Sequence, residues 1–287
     1  MANSISSDLT ISTAVSTLQN MLAPISKFTL NVSGESVGRS ATVQVPIIAT
    51  DDVARDYDST NGYSAAADTD VSKLAVTVTE RIKPFKLSDN DFNKSPLGLQ
   101  NYVAQNANEF GRYLLRLIFN ELDGGSISPT VKAAASVGIS DIKALAAKLD
   151  ANGAPMDRHL IINAAANSAV IPATGETFGN NVVESGRFGN LYGMSVNPQN
   201  ANNTAASKIH TFACSSDAIV IVNRMPEVQG AATLEEYTPF EVEGLGIQCA
   251  YRRYYDAAKG DHYAAFTTCY GVGIAKKDHI AALKAAA

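Results

Sequence analysis

The stretch that most constrains this chain runs from Ser95 to Gly125, SPLGLQNYVAQNANEFGRYLLRLIFNELDGG. It reads as one long amphipathic helix with a start signal and a stop signal. Ser95 suits the N-cap, because its side-chain oxygen can accept from an otherwise unpaired N–H of the first turn. Pro96 then stands at the first helical position, where a missing N–H costs nothing. Val103, Ala107, Phe110, Leu114 and Leu117 alternate steps of four and three, and Leu99, Tyr102, Ile118 and Leu122 widen the stripe. Gly124-Gly125 ends the helix through the left-handed conformation that glycine tolerates. From Pro96 to Leu122 such a helix is about 40 Å long at roughly 1.5 Å per residue. A compact chain of this length has a radius of gyration of roughly 19 Å. A rod of that size spans most of the body, so the rest of the chain must pack around it as around a spine.

Composition bounds the remainder. The 287 residues, 46% of them hydrophobic, suffice for one large domain or two intimate ones. A net charge of −5 leaves no global basic surface for gripping nucleic acid. Cys214, Cys249 and Cys269 form no C-x-x-C pair and are odd in number, which suits buried, reduced thiols in a cytosolic folding environment. Nothing approaches the run of about 18 apolar residues that a membrane span needs. The N-terminus, MANSISSDLTIS, has neither the basic nor the apolar region of a signal peptide.

Residues 1–27 are rich in Ser, Thr and Asn, with sparse apolar residues, and read as an extended arm holding a short helix near Ala14 to Leu22. Residues 28–86 read as an antiparallel ribbon: Phe28 to Val32 and Ala41 to Pro46 are strand-like, and Leu74 to Ile82 alternates with period two. Between them, Ala49 to Asp70 is a polar, turn-prone loop of a length that is usually functional. A two-stranded ribbon is barely stable alone in water. Val43, Val45, Leu74, Val76 and Val78 therefore need cover, and a second protein surface is the simplest source of it.

Ser126 to Val137 is a small-residue connector. Ser140 is placed to cap a helix over Asp141 to Ala151, with Ile142, Leu145, Ala146 and Leu149 facing inward. Arg158 leads the apolar run Leu160-Ile161-Ile162, a buried strand, and Ala164 to Val170 follows as a helix. Gly186 to Val196 is a turn entering a strand, and Pro198 to Ser207 a surface loop. Ile209 to Cys214 and Ala218 to Val222 are strands. Phe240 to Tyr255 and His262 to Ile274 are long strands joined through Gly260, and the tail from Lys276 onward is expected to fray.

Patterns that would carry chemistry fail on their context. Gly34-Glu35-Ser36-Val37-Gly38 matches the G-x-S-x-G of a serine hydrolase, but strand follows it where that fold needs a helix. His210 and Cys214 stand four apart in a strand, about 13 Å, too far to share a metal. Gly271-Val272-Gly273 lacks the remaining glycine and the helix of a dinucleotide fingerprint. Arg252-Arg253 among Tyr251, Tyr254 and Tyr255 is a basic-aromatic cluster whose alternating faces suit a sheet surface or a subunit contact better than nucleic acid. No catalytic, metal or cofactor site is expected, and the chain reads as something other than an enzyme.

The order of these parts is the informative feature. An arm, a long ribbon, a spine helix, an α/β region and a returning β-hairpin resemble the major capsid proteins of tailed bacteriophages, an α+β fold of the Hong Kong 97 type shared with encapsulin shells. Arg158-His159-Leu160-Ile161-Ile162-Asn163 is similar to that family's strand leading into the apical domain. Gly189-Asn190-Leu191-Tyr192-Gly193-Met194-Ser195-Val196 is similar to its recurring hairpin, and Phe212 to Val222 to the following strand pair. The resemblance covers essentially the whole chain. It implies an N-terminal arm over 1–27, an E-loop ribbon over 28–86, a peripheral domain over 87–138 and 247–287, and an apical domain over 139–246.

It further implies a virion shell built of hexamers and pentamers, assembled in the host cytoplasm around double-stranded DNA that is held without sequence-specific contacts. Portal and decoration proteins are implied partners, with no membrane. A separate scaffolding protein is expected too, because the sequence starts at the arm. Residues 31–72 contain no lysine, so the lysine–asparagine cross-link that some relatives form from the E-loop is not expected. Arg39, Arg55, Asp56, Tyr63 and Arg81 are the expected inter-subunit contacts on the ribbon. The alternatives are an encapsulin-type nanocompartment and, more distantly, a hydrolase using Ser36.

Overall fold

The structure, a computed structural model, describes residues 7–33, 41–48, 59–60, 71–88, 96–124, 127–171, 189–199, 208–227, 234–242, 244–256, 258 and 261–285. The spine is the helix Pro96–Gly124 (α3, with α1 Ser7–Leu22 and α2 Ile25–Phe28 before it). The expected cap Ser95 and stop Gly125 lie outside the described residues. Val103, Ala107, Phe110, Leu114, Ile118 and Leu122 are buried, whereas Leu117 is half-buried and Tyr102 exposed. Leu115 and Phe119 are buried as well, one step around the helix, because α3 has two partners. One is a sheet: Phe110 stacks on Phe266 of that sheet at 6.5 Å between ring centroids.

The other partner is α1, and this corrects the extended arm. Ala14, Leu18 and Leu22 are fully buried at spacings of four, an apolar helical face set among hydroxyl residues. Those hydroxyls fold back on the helix: Ser16 and Thr17 both donate to the carbonyl of Thr13, at 3.0 and 2.8 Å. Gly111 lets the helices close, since a Cβ there would meet Met21 Cγ at 3.0 Å. Phe28, expected in the ribbon, ends α2 with its ring buried against Phe212.

Among the described residues, two six-stranded sheets flank the spine. The strands are β1 Leu30–Asn31, β2 Thr42–Ile48, β3 Val71–Thr77, β4 Thr79–Ser88, β5 Thr130–Val131, β6 Arg158–Asn163 and β7 Asn190–Leu191. They continue with β8 Met194–Gln199, β9 Ile209–Ser215, β10 Ile219–Arg224, β11 Glu236–Val242, β12 Ile247–Asp256, β13 Asp261–Ile274 and β14 Ile280–Lys284. The first sheet runs β1-β10-β13-β12-β11, with β4 on the other edge of β13. The second runs β5-β14-β9-β6-β8-β7. Among the described residues, only β2 and β3 form the ribbon.

Three strand expectations need correction. The alternating run Leu74 to Ile82 is two strands that part at the buried Val78, β3 in the ribbon and β4 in the first sheet. The run from Phe240 breaks at Gly244 and Gly246, whose φ of 77° and 63° suit glycine, so β11 and β12 pair antiparallel instead of continuing. The tail does not fray: Ile280–Lys284 lies between β5 and β9 with Ala281, Ala282 and Leu283 buried. The sheets also interleave along the chain, since β10 and β11 belong with β12 and β13, and β14 with β6, β8 and β9.

The second core is built by α4 Ile139–Ala151 and α5 Ala164–Val170 on that sheet. Ile142, Leu145, Ala146 and Leu149 face it as expected. The cap of α4 is Gly138 and not Ser140: Asp141 Oδ2 accepts the Gly138 N–H at 2.8 Å. Asn163 caps α5 by accepting the Ala166 N–H at 2.7 Å.

Candidate inter-subunit surfaces

The ribbon has a seated face and an open face. Because its partners are directly opposed, Val43↔Val76 and Val45↔Leu74 share one face, while Gln44↔Ala75 and Pro46↔Lys73 share the other. Val45, Val76 and Val78 are buried against Val220, Val222 and Cys269 of the first sheet, on the side away from the spine. The cover that those valines need is therefore supplied by the chain itself, which corrects the expectation of a second protein there. Gln44, Pro46, Lys73 and Ala75 remain exposed.

Between the ribbon, the last turns of α3 and the end of β13 lies a groove of 880 Å³. Arg81 lines it and donates to the Tyr113 hydroxyl at 3.3 Å, while its buried Nε finds no hydrogen-bond partner. Of the ribbon contacts expected from sequence, Arg81 lies on a concave surface, but in β4 of the first sheet and not on the ribbon itself. Arg39, Arg55, Asp56 and Tyr63 lie outside the described residues. Nearby, Lys83 is bonded to Glu109 on the spine, and the pair draws the Glu109 carboxyl below its ordinary range.

A second surface is the β12–β13 hairpin. Tyr254 and Tyr263 stack at 5.1 Å, Tyr255 lies 4.6 Å from the His262 ring, and both Tyr254 and Tyr255 are exposed. The arginines beside them are engaged: Arg252 pairs with Glu80 at 2.9 Å, and Arg253 with Glu235 and Glu236 at 3.2 and 3.5 Å. Cations already matched by carboxylates on their own sheet have little left for phosphate.

The chemical alternatives can be placed in the same way. Ser36 lies outside the described residues. One serine–histidine–carboxylate grouping that the sequence did not suggest is present: Ser215 Oγ donates to Asp217 Oδ1, with His279 Nδ1 at 3.4 Å from that Oγ. Ser215 is fully buried and its proton is committed to the carboxylate, so this grouping braces the fold and has no access to a substrate. His210 donates from Nε2 to the Lys132 carbonyl at 2.8 Å, a structural tie. No group of three or more metal-ligating side chains occurs among the described residues. Burial pushes the thiol of Cys249 up to about 12, and those of Cys214 and Cys269 upward too, which leaves them unreactive. Among the described residues, no helix is long and apolar enough to cross a membrane.

No family model matches the chain. No curated protein matches it either. Its fold, however, matches solved structures. The capsid of cyanophage P-SCSP1u superposes with a TM-score of 0.58 at 14% identity, over 90% of this chain and 86% of that one. The mature capsid of bacteriophage PhiM1 gives 0.53 at 13%, over 90% and 84%. A virus-like particle from Pyrococcus furiosus gives 0.56 at 10%, over 95% and 96%. The capsid-protein fold of the Hong Kong 97 type expected from the order of the elements is the fold found.

Proposed function

We propose that this chain is the structural subunit of an icosahedral phage head, a major capsid protein that encloses a double-stranded DNA genome. The observation that carries the reading is the likeness to assembled capsid shells over about nine-tenths of the chain. The described surfaces agree with it. A shell closes by repeating contacts between unlike patches of identical subunits. A ribbon with an open face, a groove at its root and an exposed tyrosine hairpin offer such patches in different directions. Each contact can be modest, because one subunit makes several and their effects multiply. A net charge of −5 and arginines already paired keep the wall from gluing to its DNA.

Within this reading the chain acts as a structural protein and not as an enzyme. The ribbon serves as E-loop, 87–138 with 247–287 as peripheral domain and 139–246 as apical domain, save that β10 and β11 join the sheet of β12 and β13, and β14 that of β6, β8 and β9; Arg39, Arg55, Asp56, Tyr63 and Arg81 meet neighbouring subunits. Hexamers and pentamers, a scaffolding protein, a portal and decoration proteins are the partners that the fold analogy supplies. Assembly takes place in the host cytoplasm and the product resides in the virion.

The test is electron microscopy of the purified protein, alone and with crowding agent or scaffold. Closed particles are expected, and a chain that stays monomeric under all of these conditions refutes the proposal. The likeness to the Pyrococcus furiosus virus-like particle, over 95% of this chain, carries one second reading, a nanocompartment shell. Particles from the native source that carry a co-purifying protein cargo in place of DNA would decide for it.

A further inference from the structure

Two buried donors at the root of the ribbon have nothing to bond to. The Tyr270 hydroxyl is fully buried and, among the described residues, finds no hydrogen-bond partner. Neither does the buried Nε of Arg81, whose guanidinium donates to the Tyr113 hydroxyl and, among the same residues, forms no ion pair. Both side chains line the groove of 880 Å³. In the β4–β13 ladder Thr79 faces Tyr270, so Arg81, two residues on, emerges on the same side of the sheet as Tyr270. Burial raises the Tyr270 pKa, which keeps its proton in place to be donated. A buried donor without a partner is costly, and native proteins rarely keep one unused. Two of them on one concave wall call for an acceptor from outside.

The remaining walls define the chemistry of that acceptor. Leu74, Leu117, Val272 and Ile274 are apolar, and the volume lies within the roughly 300–1,000 Å³ of small-molecule sites. Lys276 is committed to Asp217, and Lys277, Asp278 and Glu121 are exposed, where water and salt screen them. Of the lining charges, that leaves the half-buried Arg81 to set the sign, and its planar fork matches a carboxylate. We propose that the groove binds a small amphipathic carboxylate of the fatty-acid class, its head accepting from Arg81 and the Tyr270 hydroxyl and its chain lying against Leu74, Leu117 and Val272. Such a molecule touches the ribbon, α3 and β13 at once, so it fastens the root of the ribbon to the body. The site lies within a single chain and stands apart from the shell reading.

Isothermal titration calorimetry of the purified protein with decanoate, decanol and decyltrimethylammonium tests this. Decanoate should bind about tenfold tighter than decanol, the worth of one charge-assisted bond, and the ammonium should not bind. Arg81→Gln and Tyr270→Phe should each weaken decanoate about tenfold. Without ligand, Tyr270→Phe should melt no lower than the parent, because the hydroxyl it removes forms no bond. Decanoate that fails to bind, that binds no tighter than decanol, or that ignores both substitutions overturns the proposal. So does a ligand-free Tyr270→Phe that melts lower than the parent, which would show the hydroxyl already satisfied by water. All of these readings come from the chain itself, so a failure to form shells leaves them intact.

Discussion

Gly271 lies directly beneath Thr77: a Cβ on Gly271 would sit 2.6 Å from the Thr77 carbonyl oxygen. Two residues on, a Cβ on Gly273 would sit 2.8 Å from Val76 Cγ2 and 2.9 Å from Leu74 Cδ2. The ribbon passes over β13 where β13 has no side chains, and the bare backbone lets Val76 and Val78 reach Val220 and Val222. The obstacle at Gly271 is backbone, whereas at Gly273 it is branched side chains that can rotate. Gly271→Ala should therefore cost more than Gly273→Ala, within the range of about 1–3 kcal/mol typical of overpacking. Chemical denaturation of the two variants checks the order, and hydrogen exchange of β2 and β3 should rise first in Gly271→Ala.

The two faces of the ribbon should separate folding from assembly. Val76 is 1% exposed in the subunit's own core. Val76→Asp should unfold or severely destabilise the monomer, because an unpaired carboxylate cannot be left there without water. Ala75 is exposed on the opposite face. Ala75→Asp should leave the melting temperature nearly unchanged and reduce particle yield. Circular dichroism for folding and micrographs for assembly read the two outcomes separately.

Phe110 should be indispensable to the spine. It is fully buried and stacked on Phe266, which in turn packs on Phe85, Phe240 and Tyr251. Phe110→Ala should cost about 3–5 kcal/mol, and Phe110→Asp should give no soluble folded protein. A folded, soluble Phe110→Asp variant would show that α3 does not organise this core.

How much of this was legible in the sequence depends on whether a signal was local. The spine, α4 and the Arg158–Asn163 strand announce themselves through periodicity or a continuous apolar run, because each buries a face at its own natural spacing. Of the helix Ser7–Leu22 only the part from Ala14 was legible; its first turns hid because Ser and Thr weaken helical propensity by competing for the backbone, and here Ser16 and Thr17 bond back to the Thr13 carbonyl. The strand Ile280–Lys284 hid because Ala and Lys favour helix in isolation, and only the neighbouring strands β5 and β9 make it a strand. Gly271-Val272-Gly273 was visible as a pattern, but its cause is a ribbon some two hundred residues earlier in the chain. The inter-subunit surfaces were legible only as a ribbon in search of cover, and half of that cover turned out to be internal.

His210 should make the fold sensitive to mild acid. It is 2% exposed, and burial holds its pKa below the ordinary 6.5 despite the hydrogen bond to the Lys132 carbonyl. The unfolded chain therefore takes up the proton first as pH falls. Stability should decline from about pH 7 downward through the unfolded value, and level off once the folded state protonates as well. A His210→Gln variant, which has nothing to titrate there, should show a flatter profile across that window in urea melts. Parallel profiles would mean that His210 is hydrated in solution.

Asp217 should act at lower pH. It ties the two short crossovers between the sheets: its Oδ2 lies 2.6 Å from Lys276 Nζ, and the N–H groups of Ala275 and Lys276 both donate to the Ala218 carbonyl. Burial alone would raise the Asp217 carboxyl, but hydrogen bonds from Lys276 and Ser215 outweigh it and hold the group below 3.8. With the folded pKa below the unfolded one, the stabilisation is complete above the unfolded value and is lost as pH falls through the folded one. Asp217→Asn should therefore be less stable than the parent at neutral pH, and the two unfolding curves should converge as pH falls through the lowered pKa of the folded Asp217. Lys276→Met should reproduce the neutral-pH loss, because it removes the same ion pair from the other side. The double variant should then lose less than the sum of the single losses, since two residues that act through one contact cannot each forfeit it. Additive losses in that cycle would show that the crossovers are held by their backbone bonds alone.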